Sequence, residues 1–230
     1  MGYKHLFFDL DHTLWDHQSN ADETLADLYQ DYQLFKFGAF SERSFQDTFH
    51  KVNHALWHDY HQGKVDQHFI RNERFKKVLS TLGVTDFEEY LEIGAAYLHR
   101  CPRKGYLMPY TLETLQYLDS RYSMTIITNG FEEVQDVKLA NSGISKYFDL
   151  VITSEKAGWL KPHKGIFDYA LSQVKVDRTE CVMIGDNPDT DISGARDAGI
   201  DQIYYNSRGL KNGQRATFNI DSLRDLKSLL

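Results

Sequence analysis

The segment Phe7-Phe8-Asp9-Leu10-Asp11-His12-Thr13 constrains this chain more than any other. An apolar run (Leu6, Phe7, Phe8) delivers two carboxylates two positions apart, followed by a hydroxyl. In a strand, residues i and i+2 point the same way. Like charges held side by side repel, and one is pushed toward its neutral form unless a cation sits between them. Such a segment at a strand end predicts a metal site, a nucleophile with an acid partner, or both.

The surrounding pattern says what carries this segment. From about residue 105 short apolar runs alternate with helical spacing. Strands are predicted over Ser123–Thr128, Leu150–Thr153, Cys181–Gly185 and Gln202–Tyr205. Helices are predicted from Phe131 to Asn141 (stopped by Gly143), from Ile166 to Val174, through Ile192, Ala195 and Ala198 to Gly199, and from an Asp221 N-cap to Leu230. This alternation implies a parallel sheet with helices on both faces, and Lys4–Phe8 supplies its first strand. Residues 16–99 lack convincing strands. Ser19 and Asn20 ahead of Asp22 and Glu23 suggest a capping box opening the first of four amphipathic helices. Their stripes are Leu25, Leu28, Tyr29, Tyr32; Phe45, Phe49, Val52, Leu56, Tyr60; Phe69, Phe75, Val78, Leu79, Leu82; and Phe87, Tyr90, Leu91, Leu98. The expected fold is α/β: a doubly wound, Rossmann-like parallel-sheet core (residues 1–15 and 100–230) with an inserted α-helical bundle cap (residues 16–99). Asn206–Arg215 reads as a polar surface loop.

Composition excludes several classes. The net charge is −7 with no basic block, which argues against a nucleic-acid polymer as partner. No stretch is long and apolar enough to span a bilayer, and no secretory pattern opens the sequence, so a cytoplasmic protein without membrane association is expected. The cysteines are Cys101 and Cys181; Cys181 lies in an apolar run and reads as a buried thiol.

Open parallel sheets bind ligands at the carboxyl ends of their strands. The residues found after successive strands here are Asp9 and Asp11, Thr128-Asn129, Lys161-Pro162, and Gly185-Asp186-Asn187-Pro188-Asp189-Thr190-Asp191. Carboxylates gathered on that edge are hard ligands suited to Mg²⁺. In this order the four motifs resemble the haloacid dehalogenase superfamily, specifically its phosphatases with a helical cap. The resemblance spans nearly the whole chain. Phe7–Asp16 looks most like the pyrimidine 5′-nucleotidase branch.

The resemblance implies a Mg²⁺-dependent hydrolase acting on a small phosphomonoester, with a pyrimidine nucleoside 5′-monophosphate as one candidate. Asp9 would form an aspartyl-phosphate and Asp11 would serve as acid, then base. Thr128, the Asn129 amide and Lys161 would hold the phosphoryl group. Mg²⁺ would be held by Asp9, the Asp11 main-chain carbonyl and Asp186, with Asp191 orienting Lys161 or a metal water. The alternatives are a sugar-phosphate or phosphoglycolate phosphatase, a phosphomutase, a 2-haloacid dehalogenase and a non-catalytic binding module; Asp11 argues against the dehalogenase. The protein is expected as a monomer or homodimer.

Three further features have competing readings. His50, His54, His58 and His61 share a helix face opposite the apolar stripe, which reads as a solvated or cleft-facing stripe rather than a metal site. Trp15, Asp16 and His17 either seal the site or pack a hinge. Phe35, Phe37 and Phe40 read as core packing, with a base-stacking platform as the alternative.

Overall fold

The computed structural model describes residues 2–85, 87–207, 209 and 216–230. Much of the polar stretch Asn206–Arg215 therefore lies outside the described residues.

Six parallel strands form the sheet, in the order β3-β2-β1-β4-β5-β6. They are β1 (His5–Phe8), β2 (Ser123–Thr128), β3 (Leu150–Thr153), β4 (Cys181–Gly185), β5 (Asp201–Tyr205) and β6 (Phe218–Ile220). β1 is central because Leu6, Phe7 and Phe8 are all apolar and fully buried, as a strand covered on both faces requires. Its register is set on both sides: Phe8 lies opposite Ile126 of β2 and Ile184 of β4. From β1 the chain winds one way to β2 and β3 and the other way to β4, β5 and β6. The order thus reverses at β1, and the crevice at such a reversal is where this architecture takes ligands.

The helices are α1 (His17–Asp31), α2 (Glu42–His61), α3 (Gln67–Thr81), α4 (Tyr90–Arg100), α5 (Thr111–Asp119), α6 (Glu132–Asn141), α7 (Ser154–Ala157), α8 (Lys164–Val174), α9 (Ser193–Asp197) and α10 (Leu226–Leu229). Two compact units result: Met1–His17 with Gly105–Leu230, and Gln18–Lys104. In the first, Phe7, Ile127, Ile152 and Met183 of the sheet pack with Ile166, Phe167 and Ala170 of α8 and Ala195 of α9. Gly194 permits this close approach, since a Cβ there would lie 2.6 Å from the Phe167 ring.

In the second unit, Phe49 and Phe75 (5.5 Å between ring centroids) and Phe49 and Tyr97 (4.9 Å) join α2, α3 and α4. Ser41 and Asp66 cap α2 and α3. No helix among the described residues is long and apolar enough to cross a membrane.

Several local expectations are corrected. Ser19 and Asn20 do not cap α1; they lie inside it, and the buried Asn20 carbonyl accepts from Thr24. Asp221 does not cap the last helix. Ser222 instead caps the 3-10 turn Leu223–Asp225, in a capping box with Asp225, and the last helix follows directly from that turn without a side-chain cap of its own. In α4 the buried face is Ile93 and Tyr97, while Leu91 is exposed: the stripe is shifted in phase. Phe69 is exposed, as are Phe35 and Phe37, which are therefore not core residues. Phe37 meets Phe87 edge-on at 5.0 Å. β6 and α5 add to the predicted elements. On the histidine face, His50 bonds Asp22 at 2.6 Å and the exposed His58 meets Gln62 at 2.7 Å, whereas His54 is solvated.

Replacing the fully buried Phe167 by Ala should lower unfolding free energy by about 3–5 kcal/mol, the transfer loss plus the cavity left behind. Urea denaturation at neutral pH checks this; a change below about 1 kcal/mol would contradict the core described.

Candidate active site

The ends of β1, β2 and β4 lie level, so the loops that leave them converge. Asp9 extends the β1–β4 ladder, its N–H donating to the Ile184 carbonyl at 2.9 Å. Its side chain meets Lys161, whose side chain is only 2% exposed. The Lys161 ammonium has three hydrogens, and three acceptors surround it. They are Asp9 Oδ1 at 2.7 Å, Asp191 Oδ1 at 2.6 Å and the Ile127 carbonyl at 2.8 Å.

The backbone around Lys161 is held as firmly. Asn129 Nδ2 donates to the Lys161 carbonyl at 2.9 Å, and the Lys161 N–H donates back to Asn129 Oδ1 at 2.8 Å. The Asn129 side chain therefore belongs to the frame. Thr128 Oγ1 accepts from the Gly130 N–H at 2.9 Å and so fixes the turn after β2.

Asp191 reaches Lys161 because β4 ends in glycine. A Cβ at Gly185 would lie 2.3 Å from Asp191 Oδ2. Asp191 Oδ2 also accepts from the Asn187 N–H at 3.1 Å. Thr13 links the two acidic loops: its hydroxyl lies 3.3 Å from Asp9 Oδ2 and 3.3 Å from Asp186 Oδ1, and it accepts from the Asp186 N–H at 3.1 Å.

Asp9, Asp186 and Asp191 each offer an oxygen within 4.8 Å of the others. Such a set fits a hard cation such as Mg²⁺. Counting Asp11 and its partner Lys138, four carboxylates face two ammonium groups. A divalent cation would offset the difference.

The Asp11 side chain is not in that cluster. β1 ends at Phe8, and the loop beyond it turns through His12 at φ 67°, so strand alternation no longer applies. Asp11 instead pairs with Lys138 of α6, at 2.7 and 2.8 Å from its two oxygens. Sequence reasoning missed Lys138 as a site residue. The available signal was a lysine at a position that helical spacing assigns to the buried face of α6.

The two carboxyls are driven in opposite directions. Burial, ahead of the opposing attraction of Lys161, pushes Asp9 up to about 7. Burial also works to raise Asp11, but Lys138, helped by His17 and His12, holds it below the ordinary carboxylate value. Burial alone would lower Lys161; Asp191 and Asp9 raise it above the usual lysine range.

Between the ordinary value of 3.8 and about 7, the folded protein keeps the Asp9 proton that the unfolded chain has released. This group's contribution to stability therefore falls as pH rises through that window. Without divalent ions, Asp9→Asn should gain stability relative to the parent between pH 4 and 7. Urea titrations at intervals across the range check this, and a constant difference would contradict it. Gly185→Ala should destabilise by about 1–3 kcal/mol through overpacking against Asp191, read by thermal melting.

The profile of the haloacid dehalogenase-like hydrolases matches residues 3–199. Pyrimidine 5′-nucleotidase YjjG of Escherichia coli is 33% identical over 233 residues, covering 100% of this chain and 99% of its own. Pyrimidine 5′-nucleotidase PynA of Streptococcus pneumoniae is 32% identical, covering 100% and 96%. Among solved structures, Bacillus subtilis YfnB bound to magnesium has the same fold, with a TM-score of 0.89 at 24% identity, covering 100% and 99%. A family profile over most of the sequence, with full-length relatives above 30% identity, places this protein in the haloacid dehalogenase-like hydrolase family.

Proposed function

We propose that this hydrolase removes phosphate from nucleoside 5′-monophosphates, pyrimidine nucleotides foremost, using Asp9 as nucleophile. The observation that carries this reading is the Asp9 carboxylate itself. It is buried at the strand-end crevice, gripped through Oδ1 by Lys161 and approached at Oδ2 by Thr13. The substrate class rests on the full-length similarity to YjjG and PynA.

An oxygen of Asp9 attacks phosphorus as the bond to the leaving oxygen breaks, giving an aspartyl-phosphate. Asp11 passes a proton to that leaving oxygen. Water then attacks the same phosphorus, Asp11 takes its proton, and Asp9 is released with inorganic phosphate. Lys138 pairs with Asp11 and favours its ionised form, so a proton for the leaving oxygen can enter with the substrate. A phosphomonoester monoanion, whose second ionisation lies near pH ~6, carries one.

Lys161 neutralises charge on Asp9 and on the incoming phosphoryl group, and the Thr128 hydroxyl and Asn129 main-chain amide bind phosphoryl oxygens. Asp9, Asp186 and the Asp11 main-chain carbonyl would hold Mg²⁺, with Asp191 orienting Lys161. Bound there, the ion would draw charge from the phosphoryl oxygens and keep Asp9 ionised. The helical insertion acts as the cap that selects among leaving groups.

A panel of pyrimidine and purine nucleoside monophosphates, sugar phosphates and phosphoglycolate, assayed for free phosphate with and without Mg²⁺, tests the reading. Turnover should require Mg²⁺ and be greatest on pyrimidine nucleotides. Asp9→Asn should lower kcat by at least about 10³-fold, in line with the loss of a nucleophile that acts as a unit with its partners. Preference for sugar phosphates would overturn the substrate assignment, and release of halide without Mg²⁺ would overturn the reaction class.

Mg²⁺ should also raise the melting temperature. At 100 times its Kd the gain is about 2.7 kcal/mol, or roughly 5–10 °C for a chain of this size. Asp186→Asn should abolish most of that rise.

A further inference from the structure

We propose that Lys138 is a positioning residue for this reaction: it fixes the Asp11 carboxyl where the leaving oxygen is protonated. The inference rests on the reading of Asp11 as proton donor and acceptor. Lys138 belongs to none of the four motifs around the crevice.

Lys138 is buried together with Gln135 and Leu139 on one face of α6. A leucine there would fill the same space without taking a charge out of water, and a buried ammonium persists only where it is paired. The pairing is complete. Two of its hydrogens reach the two Asp11 oxygens at 2.7 and 2.8 Å, and Nζ lies 4.6 Å above the centre of the Trp15 ring. An ammonium over an aromatic face is held by the ring's negative π surface.

Trp15 is itself immobilised. It is fully buried, and its backbone bridges Asp11 on one side and Leu107 on the other. Its N–H donates to the Leu10 carbonyl, and its carbonyl accepts from the His12 N–H, both at 2.9 Å. Lys138 thus ties the Asp11 side chain to a rigid tryptophan and to a sheet-packed helix. Among the described residues it supplies both hydrogen bonds that this carboxylate receives. Asp11 lies beyond the end of β1, where its backbone bridges to Trp15 and strand alternation no longer sets the direction of its side chain.

A structural ion pair would stabilise the loop and affect all substrates alike. A positioning role predicts a dependence on the leaving group. Protonation matters for a nucleoside, a poor leaving group, and little for p-nitrophenolate, which departs unprotonated. The comparison is made in kcat/KM, which reports events up to departure of the leaving group.

Lys138→Met should lower kcat/KM for uridine 5′-monophosphate by about 10–100-fold, the scale expected of a displaced acid. It should lower kcat/KM for p-nitrophenyl phosphate by less than about threefold, because that departure needs little proton transfer. Lys138→Arg, which can meet both carboxylate oxygens, should recover most of the loss. Lys138→Gln carries the same comparison if the Met variant does not fold.

Asp11→Asn is the reference. If it shows the discrimination while Lys138→Met depresses both substrates equally, or neither, then Lys138 is structural and the proposal is overturned. If Asp11→Asn itself treats both substrates alike, the reading of Asp11 fails and the proposal falls with it. Loss of all activity in Asp9→Asn, with discrimination retained in Asp11→Asn, leaves the phosphatase reading intact whatever Lys138 does.

Discussion

A single ammonium group organises the crevice. The three acceptors around Lys161 come from the end of β1, the end of β2 and the loop after β4, so one charge joins three segments distant in sequence. Taking that charge out of water is unfavourable unless every hydrogen is met. The rest of the local structure serves this condition. Asn129 holds the Lys161 backbone from the neighbouring strand, Gly185 clears the path for Asp191, and the strand registers bring the three ends level.

The two acids of the Asp-x-Asp segment are kept apart by being given different cations. Asp9 meets a lysine from the loop before α8, and Asp11 meets one from within α6. Burial keeps the first easily protonated without a metal, while its lysine keeps the second ionised. Adjacent carboxyls of identical chemistry thus acquire opposite tendencies from their surroundings alone. Separating roles between paired carboxyls is how one fold can carry out both acid and base steps.

The sheet was legible because β1, β2 and β4 are centred on buried apolar residues, and β3 still carries a Leu-Val-Ile run although its Leu150 is exposed. Ser123–Thr128, Leu150–Thr153 and Cys181–Gly185 match to the residue. β6 was not legible: at three residues, Phe218–Ile220 carries too little pattern to stand out. The helical insertion was read as to type, but its phase was harder to fix. Leu91 and Phe69 are apolar yet exposed, and nothing in periodicity separates a leucine at the rim from one in the core. At the crevice, sequence spacing found the residues just past the strand ends, since topology alone brings those together. It implied that Asp9 and Asp11 would point alike, and the turn after Phe8 breaks that rule. It passed over Lys138 because a helix position seen in isolation does not reveal a partner more than a hundred residues away. Thr13 stood within its motif without a role; its hydroxyl is what ties the two acidic loops together.

The place of β1 has a consequence for how the molecule is made. It is a central strand and leaves the ribosome well ahead of its neighbours, which begin at Ser123 and Cys181. The centre of the sheet therefore stays open until most of the polypeptide has been synthesised. The four helices of the insertion run from His17 to Arg100 and draw on contacts nearby in sequence, so they can condense while β1 waits. During that interval Leu6, Phe7 and Phe8, fully buried in the finished sheet, have no strand on either side to cover them.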